Sequence, residues 1–256
     1  MRLSSLLCLL LLLPLTALAG APQLLFDQSH RQAFLAESSG PLQLSELAAT
    51  FQLHGIKVAV SEDRLSSEML ANFDALVISG AFAPHDEKEI EAILQFLDRG
   101  GKLAVMVHIG KPLLPLLHKL GVDVGNQVIN EKQDQPNGNT IDISVNTFKS
   151  HPLTAGLEQF VIYGGWPLRV FAQQGRPIAS SGPHSWVDMN SDQRYSKGDL
   201  MSPFDVIISG DYGRGSYVVF ADDAIFQNKF LQGGNMALAE NLSRWLAERQ
   251  GNQLEI

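Results

Sequence analysis

The chain is poor in cysteine: Cys8 is the only one in 256 residues, and it lies inside an N-terminal apolar run. Beyond that run there is no thiol, which excludes a disulfide, a thiolate metal site and a cysteine nucleophile. Charge is also sparse. Only 18% of residues are Asp, Glu, Lys or Arg, which argues against long disordered tails. The charge present leans acidic, with 27 acidic against 19 basic residues and a formal net charge of −8. Arg2 is the sole charge in the first 21 residues, so their removal would leave −9. No Lys/Arg cluster or aromatic series offsets that acidity, and nucleic acid is excluded as a partner because phosphates need a basic footprint. The patterns G-x-S-x-G, H-E-x-x-H and Walker A are missing. No internal repeat occurs.

What the sequence does have is an organised βαβ unit from Ala75 to Gly110. Ala75–Ile78 and Leu103–Val107 are short unbroken apolar runs, as parallel strands covered on both faces require. Between them, Ile90, Ile93, Leu94 and Leu97 follow the i, i+3, i+4, i+7 spacing of one helical stripe. Asp86 with Glu89 three residues later has capping-box spacing, and Gly100-Gly101 supplies a left-handed exit. Upstream, Gln23–Phe26 and Ile56–Val60 read as strands. They flank a helical stripe of Leu44, Leu47, Ala48 and Phe51 that stops at Gly55. Ser66 is placed to cap a short helix through Met69, Leu70 and Phe73. The order β-α-β-α-β-α-β predicts a three-layer α/β/α domain with these four strands as parallel neighbours in a doubly wound sheet. At 45% hydrophobic content the chain can bury a sizeable core.

After Gly110, Pro112 opens a leucine-rich helix over Leu113–Leu120 that closes at Gly121. From 122 to 203 helical periodicity fades and Gly, Pro, Asn and Ser become frequent. This stretch reads as a β-rich elaboration of the same domain. It holds a polar loop at Gln133–Thr140 and short strands at Ile141–Val145, Phe160–Tyr163, Leu168–Phe171 and Pro177–Ala179. Val206–Ser209 and Ser216–Ala221 then predict a hairpin whose wide turn spans Gly210–Gly215. Lying between two strands, those glycines are no phosphate loop. A last helix from Asn235 to about Arg249 carries Leu238, Ala239, Leu242, Trp245 and Leu246 on one face. Residues 20–256 are expected to form a single domain.

The N-terminus reads as a signal peptide over residues 1–19. Met1-Arg2 is a minimal positive region, Leu6–Leu15 the apolar core, and Ala17-Leu18-Ala19 a small-x-small cleavage site. The alternative is an uncleaved anchor, since Leu3–Ala21 approaches the roughly 20 residues of a spanning helix. Pro14 and the small residues after it favour cleavage. Export of a chain without disulfides suits a periplasm, or secretion. Contact with membrane is expected only through an uncleaved signal.

Several segments carry a family resemblance: LLFDQSH, ISGAFAP, FLDRGGKLAV, SHPLTAGL from Ser150 to Leu157, and GRGSYVVFADDAIFQN with GGNMALAENLSRWL. Together they resemble the catalytically silent branch of the class I glutamine amidotransferase-like superfamily. That branch includes the extracytoplasmic domain of gliding-motility-type ABC transporter auxiliary proteins and a related domain of intraflagellar transport proteins. The resemblance implies a flavodoxin-like sheet and a role in binding sugars or partner proteins. Active relatives place a cysteine on a tight strand-to-helix elbow. Here the matching elbow reads His108-Ile109-Gly110, so the resemblance implies no amidotransferase chemistry.

In open α/β sheets ligands bind beyond the carboxyl ends of the strands. Four such ends carry polar groups. Asp27, Gln28, Ser29 and His30 follow the first strand, where they either bind a ligand or simply close a loop. Ser79-Gly80-Ala81-Phe82 presents small residues whose amides face a ligand or let the chain turn. His108 follows the fourth strand, with His85 and Asp86 expected nearby; without H-x-x-x-H spacing, no metal or cofactor is expected. Asp222 and Asp223, followed by Asn228, end the last strand. Adjacent acids point apart, so one is expected to face the crevice and the other to cap the next turn. Asp27, His30, His108 and Asp222 are expected to converge on one concavity. Trp166, His184, Trp186 and Tyr195 either stack on sugar rings or pin their loops. The leading expectation is an exported non-catalytic domain that binds a glycan or scaffolds an envelope protein complex. The alternative is an exported glycan hydrolase using the Asp and His residues at the strand ends.

Overall fold

The computed structural model describes residues 20–248. The signal-peptide reading falls on residues 1–19, outside the described residues. Among the described residues no helix is long and apolar enough to cross a membrane.

The first half alternates as the sequence predicts. Strand β1 (Gln23–Asp27) leads to helix α1 (Ser45–Leu53), β2 (Lys57–Ser61), α2 (Ser67–Leu70), β3 (Ala75–Ser79), α3 (Glu87–Asp98), β4 (Lys102–Met106) and α4 (Gly110–Lys119). The sheet order β2-β1-β3-β4 is parallel throughout, with Asp27 level with both Ser61 and Ile78. Leu24–Phe26, Leu76–Ile78 and Leu103–Val107 are all buried, which explains why these runs carry no alternation. Helix α3 starts on the predicted box: the Asp86 carboxylate accepts from Lys88 and Glu89 N–H, and Glu89 accepts from Asp86 N–H. Ser66 accepts from Met69 N–H and starts α2. Right-handed crossovers place α1 on one face and α2 with α3 on the other. Accordingly α1 packs on α5 (Gly234–Ala247), and α2 packs on α3.

The β-rich stretch holds β5 (Val122–Val124), β6 (Ile129–Glu131), β7 (Asp142–Val145), β8 (Thr147–Phe148), β9 (Phe160–Tyr163), β10 (Leu168–Val170), β11 (Gly175–Ser180), β12 (Ser185–Val187) and β13 (Leu200–Met201). It is followed by β14 (Asp205–Tyr212) and β15 (Gly215–Phe220). Strand β15 adds to β4 in parallel, and β14, β10 and β5 continue antiparallel, while β11 and β8 branch from β14. Separate small sheets join β13-β12-β6 and β7-β9. The expected wide turn is corrected here. Tyr212 pairs with Gly215, so only Gly213-Arg214 turns, and Gly210 and Asp211 belong to β14. Glycine is required at 213 because φ is +58° and a Cβ would approach the Asp98 side chain to 2.3 Å.

The order β2-β1-β3-β4-β15 reverses direction between β1 and β3. In doubly wound sheets that switch opens a crevice beyond the strand ends. The functional question is what occupies it.

Candidate functional site

The switch point is plugged. Asp27, the last residue of β1, is buried, and its carboxylate is the hub of four side chains. Oδ2 lies 2.8 Å from His30 Nδ1, 2.9 Å from His85 Nε2 and 3.1 Å from the Gln32 amide. Oδ1 accepts from the Ser29 hydroxyl at 2.7 Å and from Ser29 N–H at 3.0 Å. The loop folds back because Phe82 and Ala83 N–H both donate to the His30 carbonyl, fastening it to the segment after β3. The imidazoles of His30 and His85 stack with centroids 3.6 Å apart. On its far side His30 Nε2 meets Glu89 Oε2 at 3.2 Å, and Glu89 also receives Leu65 N–H. Burial pushes the Asp27 carboxyl up, but hydrogen bonds and charge from His30 and His85 outweigh it and hold it far below the usual range. Burial opposes charge on His30 as well, and Asp27 with Glu89 overcomes it and raises the imidazole.

A second cluster lies one strand further along. His108, just past β4, has Nδ1 3.0 Å from Asp223 Oδ1, just past β15. The Asp223 hydrogen bond raises the imidazole of His108 against the opposing effect of burial. The ring sits between Phe34 and Phe82, with centroids 5.0 and 5.1 Å away. The backbone carbonyl of His108 is held by the Trp166 indole at 2.8 Å. Asp222 points the other way and accepts from Ala224 and Tyr163 N–H, closing the turn at Ala224–Phe226. Burial, then the charge of Asp223, pushes the Asp222 carboxyl up to about 7. Burial also raises Asp223, against the pull of His108. In front of this pair opens a cleft of about 730 Å³. Its wall includes Asn137, Asn139, Gln227 and a stacked pair, Tyr163 and Phe230, with centroids 3.9 Å apart.

These placements revise the expected site. Asp27, Ser29 and His30 do not join His108 and Asp222 in one concavity. The Asp27 carboxylate is consumed by two imidazoles that fill the switch crevice, so the open cleft moves to β4 and β15. His85 belongs with Asp27, not His108, and Asp86 is spent on the α3 cap and on Arg64 at 2.5 Å. Asn228 is removed from the site: its amide accepts from Glu46 N–H and donates to the Gly40 carbonyl and Ser45, tying α1 to the last loop. Trp166 reaches the site through its indole, which donates to the His108 carbonyl. Trp186 is buried edge-to-face against Tyr195, and neither they nor His184 line the cleft. Phe34, Tyr163, Phe230, Asn137 and Asn139 were not identified as site residues from sequence. Their signal is weak, an aromatic at a strand end and an Asn-Gly-Asn turn.

Gly80 joins the two halves. Its φ is +58°, and a Cβ there would lie 2.7 Å from Asp223 Oδ2 and 3.2 Å from Phe34. We expect Gly80→Ala to destabilise the fold by about 1–2 kcal/mol through left-handed strain alone. It should also displace Asp223, read as a lower urea midpoint together with an altered His108 titration by NMR.

No curated protein matches the sequence. Solved structures do match, over nearly the whole chain. The N-terminal domain of mmIFT52 is 17% identical and has a TM-score of 0.73, covering 89% of this chain and 98% of that one. A ThuA-like protein from Bacteroides uniformis ATCC 8492 is 17% identical with a TM-score of 0.55, covering 90% and 93%. The cytoplasmic protein STM1381 from Salmonella typhimurium LT2 is 16% identical with a TM-score of 0.57, covering 88% and 100%. At such identities they show the fold alone, that of the ThuA-like and amidotransferase-like α/β proteins. The family described as "Domain of unknown function (DUF4350)" matches residues 36–243, most of the chain, so the protein belongs to the DUF4350 family.

Proposed function

We propose that this chain is an exported, non-catalytic carbohydrate-binding domain whose cleft beyond β4 and β15 holds the ligand. The observation that carries the reading is the composition of that cleft. A stacked aromatic pair, Tyr163 and Phe230, shares the lining with carboxylate, imidazole and amide groups, in a volume of about 730 Å³. Sugars need this combination, an apolar ring face and a few oriented hydrogen-bonding groups in a preformed cleft. The elbow position holds His108, so no Ser or Cys is there to attack. Export rests on the N-terminal signal pattern, and an envelope protein complex is the setting that suits it.

One observation favours a hydrolase instead. The His108 ring is oriented by a buried carboxylate and makes no hydrogen bond through Nε2 among the described residues, the arrangement of a general base. The acid would have to come from Asp222, whose carboxyl burial pushes up to about 7 but whose oxygens both accept from backbone N–H groups.

The test is a glycan array and a hydrolase-substrate panel on the chain without residues 1–19. A binder should lose about 1–3 kcal/mol of affinity in Asp223→Asn and in Tyr163→Ala, the usual loss when a charged hydrogen bond or a packed ring is removed. Turnover abolished by His108→Gln would establish the hydrolase. Neither binding nor turnover would leave a scaffold role.

A further inference from the structure

We propose that the plugged switch point is a binding site for one divalent first-row transition-metal ion, ligated by Asp27, His30 and His85. The proposal is independent of the cleft and its ligand. One donor atom from each residue lies within 4.8 Å of the others, and all three residues are buried. Two imidazoles and a carboxylate are the donor set of zinc hydrolase centres and of non-haem iron(II) sites.

Three features separate this cluster from a chance group of buried polar side chains. First, its outer shell is built. His30 offers Nδ1 to the centre while Nε2 is held by Glu89, and Glu89 is itself fixed by Leu65 and Asp86 N–H. A carboxylate on the far nitrogen of a ligating histidine sets the tautomer and raises its basicity. Second, a dication satisfies the formal charge with both imidazoles neutral. Asp27 and Glu89 bring −2 into the buried cluster, which either two imidazole protons or one divalent ion offsets. Net charge buried away from water is costly, so one ion can take the place of both protons. Third, His85 has a nitrogen to spare. Nδ1 is buried with no protein partner among the described residues, and the only hydrogen bond holding the ring is the one to Asp27. A ring adjustment that aims a nitrogen at an ion therefore breaks a single hydrogen bond, which the metal bond replaces. Ser29 Oγ lies 3.0 Å from His30 Nδ1, at hand as a fourth oxygen donor or as the partner of a bound water.

Loading exchanges protons for the ion. The imidazole protons that face Asp27 leave as the nitrogens take the metal, so about two protons are released per ion. Because the site is buried, loading is expected during folding or on opening of the loop that carries His30.

The experiment uses the chain stripped with chelator and refolded with Zn²⁺ or Co²⁺. We expect one equivalent to survive gel filtration, Co²⁺ to give the visible bands of a nitrogen-ligated site, and calorimetry in two buffers to show proton release. His85→Gln should weaken Zn²⁺ by more than about 100-fold, and Glu89→Gln by about 10–100-fold. The carboxylates of Asp188, Asp192 and Asp199, of which only Asp192 is exposed, are the competing cluster, and Asp192→Asn should change nothing. If His85→Gln does not fold, the Co²⁺ spectrum of the wild type decides, since a carboxylate-only site lacks the nitrogen signature. No retained ion, retention unaffected by His85→Gln, or loss in Asp192→Asn would each overturn the proposal and leave a closed ion-pair network.

Discussion

Asp27→Ala, measured by urea unfolding of metal-free protein at neutral pH, should cost about 3–5 kcal/mol, the usual penalty for breaking a buried ion pair from one side. The carboxylate has no exposed surface and accepts from His30, His85, Gln32 and Ser29. Its removal strands two imidazole N–H groups, an amide and a hydroxyl where water cannot reach them. Each stranded donor costs about 1–3 kcal/mol, and partial relaxation of the loop keeps the total below their sum. Coulombic attraction alone would give a smaller loss, because Glu89 still faces His30 from the other side. Asp27→Asn separates the two contributions. It keeps the shape and one acceptor, so it should fall well short of the alanine loss while still leaving His30 with half of its compensation. A loss under about 1 kcal/mol for alanine would show that the cluster is hydrated or open in solution.

That cluster also shows where sequence stopped being informative. The elements around it were legible because each is written locally. Unbroken apolar runs mark β1, β3 and β4, and the Asp86–Glu89 spacing marks the start of α3. Ser29, His30 and Gln32 reach the hub from nearby positions, but His85 lies 58 residues beyond Asp27 and Glu89 lies 59 beyond His30, and no local rule brings these two there. Glu89 illustrates the difficulty, because one carboxylate serves the predicted cap and the unpredicted contact with His30. Reading Asp27 and His30 as free groups at a strand end placed the cleft at the switch point. Packing closed that crevice and moved the opening to His108 and Asp223. The strands β6, β12 and β13 escaped prediction because two or three residues carry no periodicity.

Stability should peak at mildly acidic pH and fall as pH rises towards 8, because the raised groups at the strand ends share one sign. The Asp222 carboxyl rises from 3.8 to about 7, so between those values the unfolded chain has lost a proton that the native state keeps. Stability therefore declines across that window, by about 4 kcal/mol at most at 1.36 kcal/mol per unit. His30 and His108 are raised above 6.5, so their stabilisation is complete below that pH and is lost as pH climbs through the folded values. Asp223 and Asp205, raised by burial, fall on the same side. Asp27 acts oppositely: its lowered carboxyl stabilises above 3.8 and loses that contribution as pH drops towards the folded value. His151, lowered by burial, adds to the loss on the acid side. The balance puts the maximum at about pH 4–6. Urea midpoints taken across pH 4–9 at fixed ionic strength measure it. Asp222, Asp223 and His108 titrate as a set, so the informative variant is Asp223→Asn. Removing the neighbouring charge should bring Asp222 down and flatten the alkaline fall. A profile that stays level or rises between about pH 5.5 and 8 would show that Asp222 is ionised in the folded protein, and with it that the floor of the cleft carries charge.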